Sequence, residues 1–378
     1  MAGEDVREMA EEDVREMAEE DVREAVRRGG LLTRDRPVLA MLSGGRDSVC
    51  LLDVAVAMRT PGTVSALHVN YGLREQADAD EHHCVALCER LGVALEIVRA
   101  HRPVPAHGPA APATASAAAP ATASAKASAT ASATASGTAS ATASATASAS
   151  VPGNLQAWAR EVRYREAERL AARTDALVAT GHTASDQVET ILYRLAASPG
   201  RRALLGMVAS EGRLVRPLLA VSRAQTTAYC EARGLRWRED SSNEDESYAR
   251  TRVRHGLLQA LRAVHPAAEA NVLRTAELLR AETQLLDALV SEELAGGSTI
   301  AVERLEQLPP ALARMVVVRL AEDAAGTYVP QAGERVQELI ELGRRRGRSE
   351  LHVGGRAGAV IEDGVLGMVK LPPRKNAS

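Results

Sequence analysis

The 378-residue chain contains no phenylalanine, two tryptophans and six tyrosines. Its core must therefore be assembled from Leu, Val, Ile and Ala, and aromatic stacking platforms are excluded as the main grip on any nucleic acid. Long apolar runs are missing as well. No stretch of about eighteen large hydrophobic residues occurs, so a membrane span is not expected. The N-terminus is acidic and lacks the basic-then-apolar order of a secretory leader. Four cysteines (Cys50, Cys84, Cys88 and Cys230) are too few for a disulfide scaffold at this length. Cys84 and Cys88 share a helical face and read as small buried hydrophobes, because no further Cys/His pair stands at ligand spacing. The default compartment is the cytoplasm.

Net charge is −3, a poor sign for a protein that binds polyanions until it is divided along the chain. Residues 1–26 hold eleven acidic and three basic side chains, a local charge of −8, so the remainder carries about +5. That acidic segment repeats EDVREMAE at 4–11 and 12–19 and closes with EDVREAV at 20–26. An eight-residue period matches no supercoil repeat. The segment reads as a solvated helix with Glu–Arg pairs three or four apart, an extension of weak structural role. Residues 109–150 are nearly all Ala, Ser and Thr with a single charge, Lys126. They cannot bury enough apolar surface to offset their ordering entropy and read as a flexible insertion in a surface loop.

Between these segments strands alternate with helices. PVLAML at 37–42, TVSALHVN at 63–70, ALEIVRA at 94–100 and ALVATG at 176–181 read as strands. Helices are expected over 47–58, 75–91, 154–173 (capped by Asn154) and 184–197. This alternation predicts an α/β fold with a parallel sheet covered on both faces. From 222 onward helices dominate, and 349–370 reads as a short terminal β element. The expected organisation is an acidic repeat extension at 1–30, a nucleotide-binding α/β domain at 31–221 and a mainly helical domain at 222–378.

Ligands of such sheets bind beyond the carboxyl ends of the strands, and two motifs fall there. Ser43-Gly44-Gly45-Arg46-Asp47-Ser48 follows the first strand and opens a helix. Glycines admit an anion close to the backbone, the helix N-terminus supplies N–H groups, and two hydroxyls add donors. Asp47 among phosphates would repel them unless a divalent cation intervenes. The Walker spacing GxxxxGKS/T is absent. The second motif, GHTASDQVET at 181–190, opens the helix after the fourth strand and places Asp186 and Glu189 three apart. A third region, 236–254, gathers Arg236, Arg238, Arg250, Arg252 and Arg254 around an Asx-rich turn, where arginines can grip phosphates. Arg344-Arg345-Arg346-Gly347-Arg348 is a further basic run, read either as a solvated face or as a phosphate contact.

The 43–48 loop resembles the SGGxDS signature of the PP-loop ATP pyrophosphatases. GHTASDQVET, HVNYGLR at 68–74, the helix bearing Arg160, Arg163 and Tyr164, LVRPLL at 214–219 and WREDSSNED at 237–245 are together similar to the tRNA(Ile)-lysidine synthetase branch of that family. Ser185 and Tyr71 depart from its usual Asp and His. The resemblance implies an ATP- and Mg²⁺-dependent ligase acting on a CAU-anticodon tRNA(Ile) and free L-lysine. It further implies ATP contacts at Ser43, Gly44, Gly45, Arg46, Asp47, Ser48, His68 and His182, and catalytic roles for Asp47, Arg163 and Asp186. Metal contacts would fall to Asp47 and Asp186, and tRNA or substrate contacts to Arg216, Arg238, Asp240, Asn243, Arg250 and Arg254. A homodimer is allowed, and the oligomeric state is left open. The rivals are tRNA thiolation on the same loop chemistry, which usually needs a cysteine pair or cluster for sulfur where no CxxC occurs here, and a catalytically silent tRNA-binding relative.

Overall fold

The computed structural model describes residues 2–33, 35–72, 76–100, 155–197, 200–239, 249–345 and 347–372. The Ala/Ser/Thr insertion, Asn154, Asp240, Asn243 and Arg346 lie outside them. The described chain forms two compact units, one from residues up to 100 together with 155–284 and one from 285 onward.

The first unit runs α1 (Ala2–Gly29), β1 (Val38–Met41), α2 (Arg46–Met58), β2 (Val64–Asn70), α3 (Ala77–Leu91), β3 (Ala94–Arg99), α4 (Leu155–Thr174), β4 (Leu177–Ala179), α5 (Ala184–Ala197) and α6 (Arg201–Leu204). It continues through β5 (Ser210–Glu211), β6 (Leu214–Val215), α7 (Arg223–Ala232), α8 (Ala249–Arg252), a π-helical turn Val253–Leu257, α9 (Leu258–Val264) and most of α10 (Ala268–Leu294). The sheet order is β3-β2-β1-β4-β6-β5, parallel except for the short β5. The expected parallel α/β sheet is what forms.

Strand periodicity explains the two cores. Successive side chains of β1 point to opposite faces. Val38, Ala40 and Leu42 join a cluster with α2 and α7, whereas Leu39 and Met41 pack with Leu67, Val69, Val178 and α4. The chain leaves β1 toward β2 and β3, then returns to place β4 on the other side of β1. The carboxyl ends of β1 and β4 therefore flank the switch point where ligands of open sheets bind.

The N-terminal helix differs from its expected role. Its last two turns put Val22 and Val26, four apart and 0% and 1% exposed, into the cluster that holds Tyr229 of α7. Glu19 pairs with Arg23 at 2.9 Å and meets Arg233, at the C-terminal cap of α7, at 3.8 Å. Regular valine spacing makes one apolar stripe on an otherwise charged helix, and charge counting alone hides it. The helices that come directly after residue 221 pack on the first unit. Leu218, Val221, Tyr229 and Cys230 bury themselves in the first unit's core, and Val253 and Leu258 pack on Val188 and Leu192 of α5. The two compact units divide at 284/285.

The second unit contains the end of α10, β7 (Thr299–Ala301), α11 (Val302–Gln307), α12 (Pro310–Ala325), a 3₁₀ segment Pro330–Arg335, α13 (Val336–Gly343), β8 (Ser349–Gly354), β9 (Ala357–Glu362) and β10 (Val365–Lys370). Its antiparallel sheet, ordered β7-β10-β9-β8, contains the expected terminal strands plus β7. Val316, Val317, Leu320, Leu339, Ile361 and Leu366 fill its core. In the 344–348 basic run Arg344 pairs with Glu306, and Arg348 with Glu350 at 2.9 Å. Among the described residues no helix is long and apolar enough to cross a membrane.

Candidate active site

The loop after β1 is knitted by its own hydroxyls. Ser48 Oγ donates to Gly45 O at 2.8 Å and accepts from Ser43 N at 3.2 Å, and the two serine hydroxyls lie 3.1 Å apart. Gly44 adopts φ +84°, a left-handed conformation that favours glycine. Gly45 caps α2 without a side-chain bond, which leaves first-turn N–H groups and the positive helix end to an anion. A Cβ on Gly181, in the loop after β4, would stand 2.9 Å from the carbonyl carbon and oxygen of Asp47. Glycine there lets the two loops touch backbone to backbone.

The facing wall is the start of α5. Thr183 N and Oγ1 both donate to Asp186 Oδ2, at 2.8 and 2.9 Å, which caps the helix and fixes that carboxylate. Asp186 Oδ1 faces Arg223 Nη2 at 3.1 Å. Glu189, one turn further and 3% exposed, accepts from Arg254 Nε and Nη2 at 2.7 and 3.0 Å and meets Arg223 Nη1 at 3.4 Å. Asp47 accepts from Thr226 Oγ1 at 2.6 Å, and lies 3.2 Å from Arg46 Nε and 3.7 Å from Arg223 Nε. Arg223 thus sits between the carboxylate of the phosphate loop and the two of α5. Acidic Asp47, Asp186 and Glu189 are matched by Arg46, Arg223 and Arg254, so the crevice is electrostatically loaded and locally balanced.

Most of the residues singled out in the sequence converge on these walls. His68, 4% exposed, sets Nδ1 2.9 Å from Leu42 O just before the phosphate loop. His182 Nδ1 lies 2.8 Å from Thr180 Oγ1, and burial, with Arg216, Arg160 and Arg250 nearby, pushes its pKa down to about 4 against the opposing pull of Asp186. The ring is neutral at physiological pH. Arg238 donates its backbone N–H to Gly44 O at 3.0 Å and pairs through Nε with Asp80 of α3. Arg250 Nη2 reaches Thr190 Oγ1 at 3.4 Å, and the π-helical turn that follows carries Arg254 toward Glu189. Arg216, 6% exposed, donates to Val208 O at 2.7 Å. Arg163 is placed differently. Its guanidinium stands 5.7 Å from the Tyr164 ring centre, Nε is buried without a partner, and no hydrogen bond among the described residues ties it to the phosphate loop.

The two departures from the family pattern have local roles. Ser185 Oγ accepts from Arg223 N at 3.3 Å. Tyr71 donates to Ala159 O at 2.9 Å and packs edge-on against Trp158, with centroids 5.8 Å apart. Arg223 and Thr226 carried no signal in the sequence. They follow the closing strand on a helix capped reciprocally by Ser222 and Gln225, and only the fold brings them under Asp47. Glu189 stood inside the motif, but its role as the arginines' anchor needs the tertiary structure.

Among the described residues no group of three or more His, Cys, Asp or Glu is placed to hold a metal ion by itself. The carboxylate oxygens of Asp47 and Asp186, both facing Arg223, are hard donors of the kind that suit a Mg²⁺ beside nucleotide phosphates. All four cysteines are free and buried. Burial pushes the Cys84 thiol up to about 12 and the Cys88 thiol to about 11, so both stay protonated and unreactive.

Fold and site together define an α/β nucleotide-binding protein whose glycine- and serine-rich loop stands at the sheet's switch point and lacks a Walker lysine. A model of the PP-loop domain matches residues 13–118 and 121–261. The chain belongs to the PP-loop family, and the match reaches into the repeat helix. Proteins named tRNA(Ile)-lysidine synthase are similar across most of the chain. That of Pseudomonas fluorescens (strain Pf0-1) is 33% identical over 264 residues, covering 68% of this chain and 49% of its own length. That of Solibacter usitatus (strain Ellin6076) is 32% identical over 325 residues, covering 82% and 62%. That of Azoarcus sp. (strain BH72) is 33% identical over 324 residues, covering 83% and 61%. The chain thus spans about half to three-fifths of the length of these curated relatives. A U34-tRNA thiolase, NcsA, from Methanococcus maripaludis superposes with a TM-score of 0.49 at 16% identity, over 70% of this chain and 80% of that one.

Proposed function

We propose that the chain joins free L-lysine to C2 of the wobble cytidine in a CAU-anticodon tRNA(Ile), using ATP and releasing AMP and diphosphate. One observation carries the reading. A loop suited to phosphates and a wall of carboxylates face each other across the β1/β4 crevice, joined by Arg223. The names of the similar proteins support the choice of tRNA and amino acid.

In the first step the cytidine O2 attacks the α-phosphorus, a P–O bond forms, and the bond to diphosphate breaks. Ser43, Ser48, Gly44, Gly45 and the first-turn N–H groups of α2 would hold the phosphates, with Arg46, His68 and His182 beside them. Positioned donors lower the barrier because the developing charge meets dipoles already oriented. Mg²⁺ held by Asp47 and Asp186 would screen the phosphates from the carboxylates and from one another. In the second step the lysine Nε attacks C2, and the C–O bond to AMP breaks. The amine must first lose its proton. Asp186, whose side chain is 21% exposed, is assigned to the lysine ammonium. Glu189, at 3%, is assigned to hold Arg223 and Arg254 in place. Arg163 is assigned to the oxygens of the activated base or of diphosphate, while Arg238, Asp240, Asn243, Arg250 and Arg254 are assigned to the tRNA side. The proposed assembly is a homodimer, read directly by light scattering, and the proposed compartment is the cytoplasm.

The test is incorporation of labelled lysine into an unmodified CAU-anticodon tRNA(Ile) transcript with ATP and Mg²⁺. Incorporation there and none into a tRNA(Met) transcript supports the proposal. No incorporation under conditions that sustain ATP binding sinks it.

A further inference from the structure

Beside the crevice, four successive carbonyls in the turn between α6 and β5 each accept a side-chain donor. Leu205 O takes Arg280 Nη2 at 2.6 Å, Gly206 O takes Arg194 Nη1 at 2.6 Å, Met207 O takes Gln187 Nε2 at 2.8 Å and Val208 O takes Arg216 Nη1 at 2.7 Å. Arg250 joins them by reaching Thr190, one turn before Arg194 on α5. Thr180 N donates to Val215 O at 3.0 Å, which brings the His182 loop against the base of Arg216.

Among the described residues no carboxylate hydrogen-bonds or pairs with Arg194, Arg216, Arg250 or Arg280; their partners are carbonyls and a hydroxyl. Arg46, Arg223 and Arg254, a short way off, all meet carboxylates. Arg216 is the extreme case, because it is 6% exposed and its Nε is buried with no partner. A guanidinium withdrawn from water without a counter-ion is costly, and one carbonyl satisfies one of its several donors. Burial pushes the Arg216 and Arg194 guanidiniums down from their ordinary value; Arg250 and Arg216 add to the effect at Arg194, whereas Tyr164 and Glu211 act against it at Arg216.

Stapling the turn does not require these charges. Gln187 performs that task at Met207 with a neutral amide, donating to its carbonyl and accepting its N–H at 2.6 Å. The positive charges are surplus to the turn and call for an anion. Arginine forks match tetrahedral oxyanions bidentately, and several forks at one place suit a multiply charged or repeated anion better than a lone carboxylate.

We propose that Arg194, Arg216 and Arg250 form a phosphate-binding subsite flanking the crevice, with Arg280 supporting the turn that carries it. The shared chemistry is a phosphate group, supplied either by the RNA backbone or by the nucleotide. The choice between those sources rests on the proposed reaction; the phosphate chemistry itself does not.

The test uses the full chain, with Arg194→Gln, Arg250→Gln and Arg216→Gln compared with wild type. Binding is measured for three probes: inorganic diphosphate, ATP with Mg²⁺, and the unmodified tRNA transcript over a series of salt concentrations. Removing one phosphate contact should weaken binding severalfold, and for RNA should reduce the salt slope by about one. A loss confined to tRNA assigns the subsite to the RNA backbone, and one confined to diphosphate and ATP assigns it to the nucleotide. Unchanged affinities for all three probes and an unchanged salt slope in Arg194→Gln and Arg250→Gln overturn the proposal. Half-buried Arg194 and exposed Arg250 decide the matter if Arg216→Gln does not fold. Lysine incorporation by the wild type is scored separately. Its absence alongside arginine-dependent phosphate binding removes the reaction and keeps the subsite, and the converse result removes the subsite alone.

Discussion

Gly181→Ala tests whether the two loops must touch for the site to work. The added Cβ would lie 2.9 Å from the Asp47 carbonyl carbon and oxygen and 3.1 Å from Ser48 N, all backbone atoms that cannot swing aside. Gly181 is not among the positive-φ glycines, so alanine adds a steric clash without left-handed strain. Restoring ordinary contact requires a separation of about half an ångström between the β4 loop and the start of α2. Misplacement by about 1 Å is worth about a hundredfold in rate, so half of that predicts roughly a tenfold loss of turnover. Overpacking of this kind costs about 1–3 kcal/mol, or a fall of roughly 2–10 °C in Tm for a unit of this size. Calorimetry and AMP formation from ATP read the two effects on one preparation. A variant that melts with the wild type and forms AMP at the wild-type rate would refute the claim that this contact sets the site.

Three further outcomes are expected. Val22→Ala or Val26→Ala should cost about 2 kcal/mol in urea unfolding, from two lost methyl groups and the cavity left behind; no change would mean the repeat helix is not part of the core. Glu189→Gln strips the charge from a carboxylate that is 3% exposed and holds two arginines, and should cost about 3 kcal/mol. Asp186→Asn, at a 21% exposed position, should instead abolish lysine transfer with a much smaller effect on stability, and equal stability losses in the two variants would contradict the division of roles. His182 should titrate near 4 instead of 6.5, with burial as the main cause. The unfolded chain takes up that proton first, so its contribution to stability is complete above about 6.5 and is lost as pH falls toward 4. An imidazole NMR midpoint near 6.5 would contradict the placement.

The parallel sheet and the two loop motifs were legible in the sequence because each rests on local signals. Four apolar strand segments preceded helices, with turn residues and hydroxyls where strand gives way to helix. The 184–197 helix was read with its observed bounds, and the 47–58 helix to within a residue. What escaped was non-local. Val22 and Val26 sit in a segment whose charge count describes its solvent side and says nothing of the apolar stripe. Arg223 and Thr226 lie thirty-seven and forty residues past Asp186 on an ordinary capped helix, and only the return of the chain beside β4 sets them against Asp47. The ring contact of Arg163 with its chain neighbour Tyr164 is likewise a matter of side-chain placement, to which the motif gives no clue.

The central claim is that the 43–48 loop and the carboxylates across from it split ATP between its α- and β-phosphates to activate the tRNA. The direct measurement follows the phosphorus products of labelled ATP alongside lysine incorporation, in the wild type and in Asp47→Asn. The account predicts AMP and diphosphate in equal amounts to lysine incorporated, and loss of all three in Asp47→Asn. Formation of ADP and phosphate, or AMP at the wild-type rate from Asp47→Asn, would contradict it.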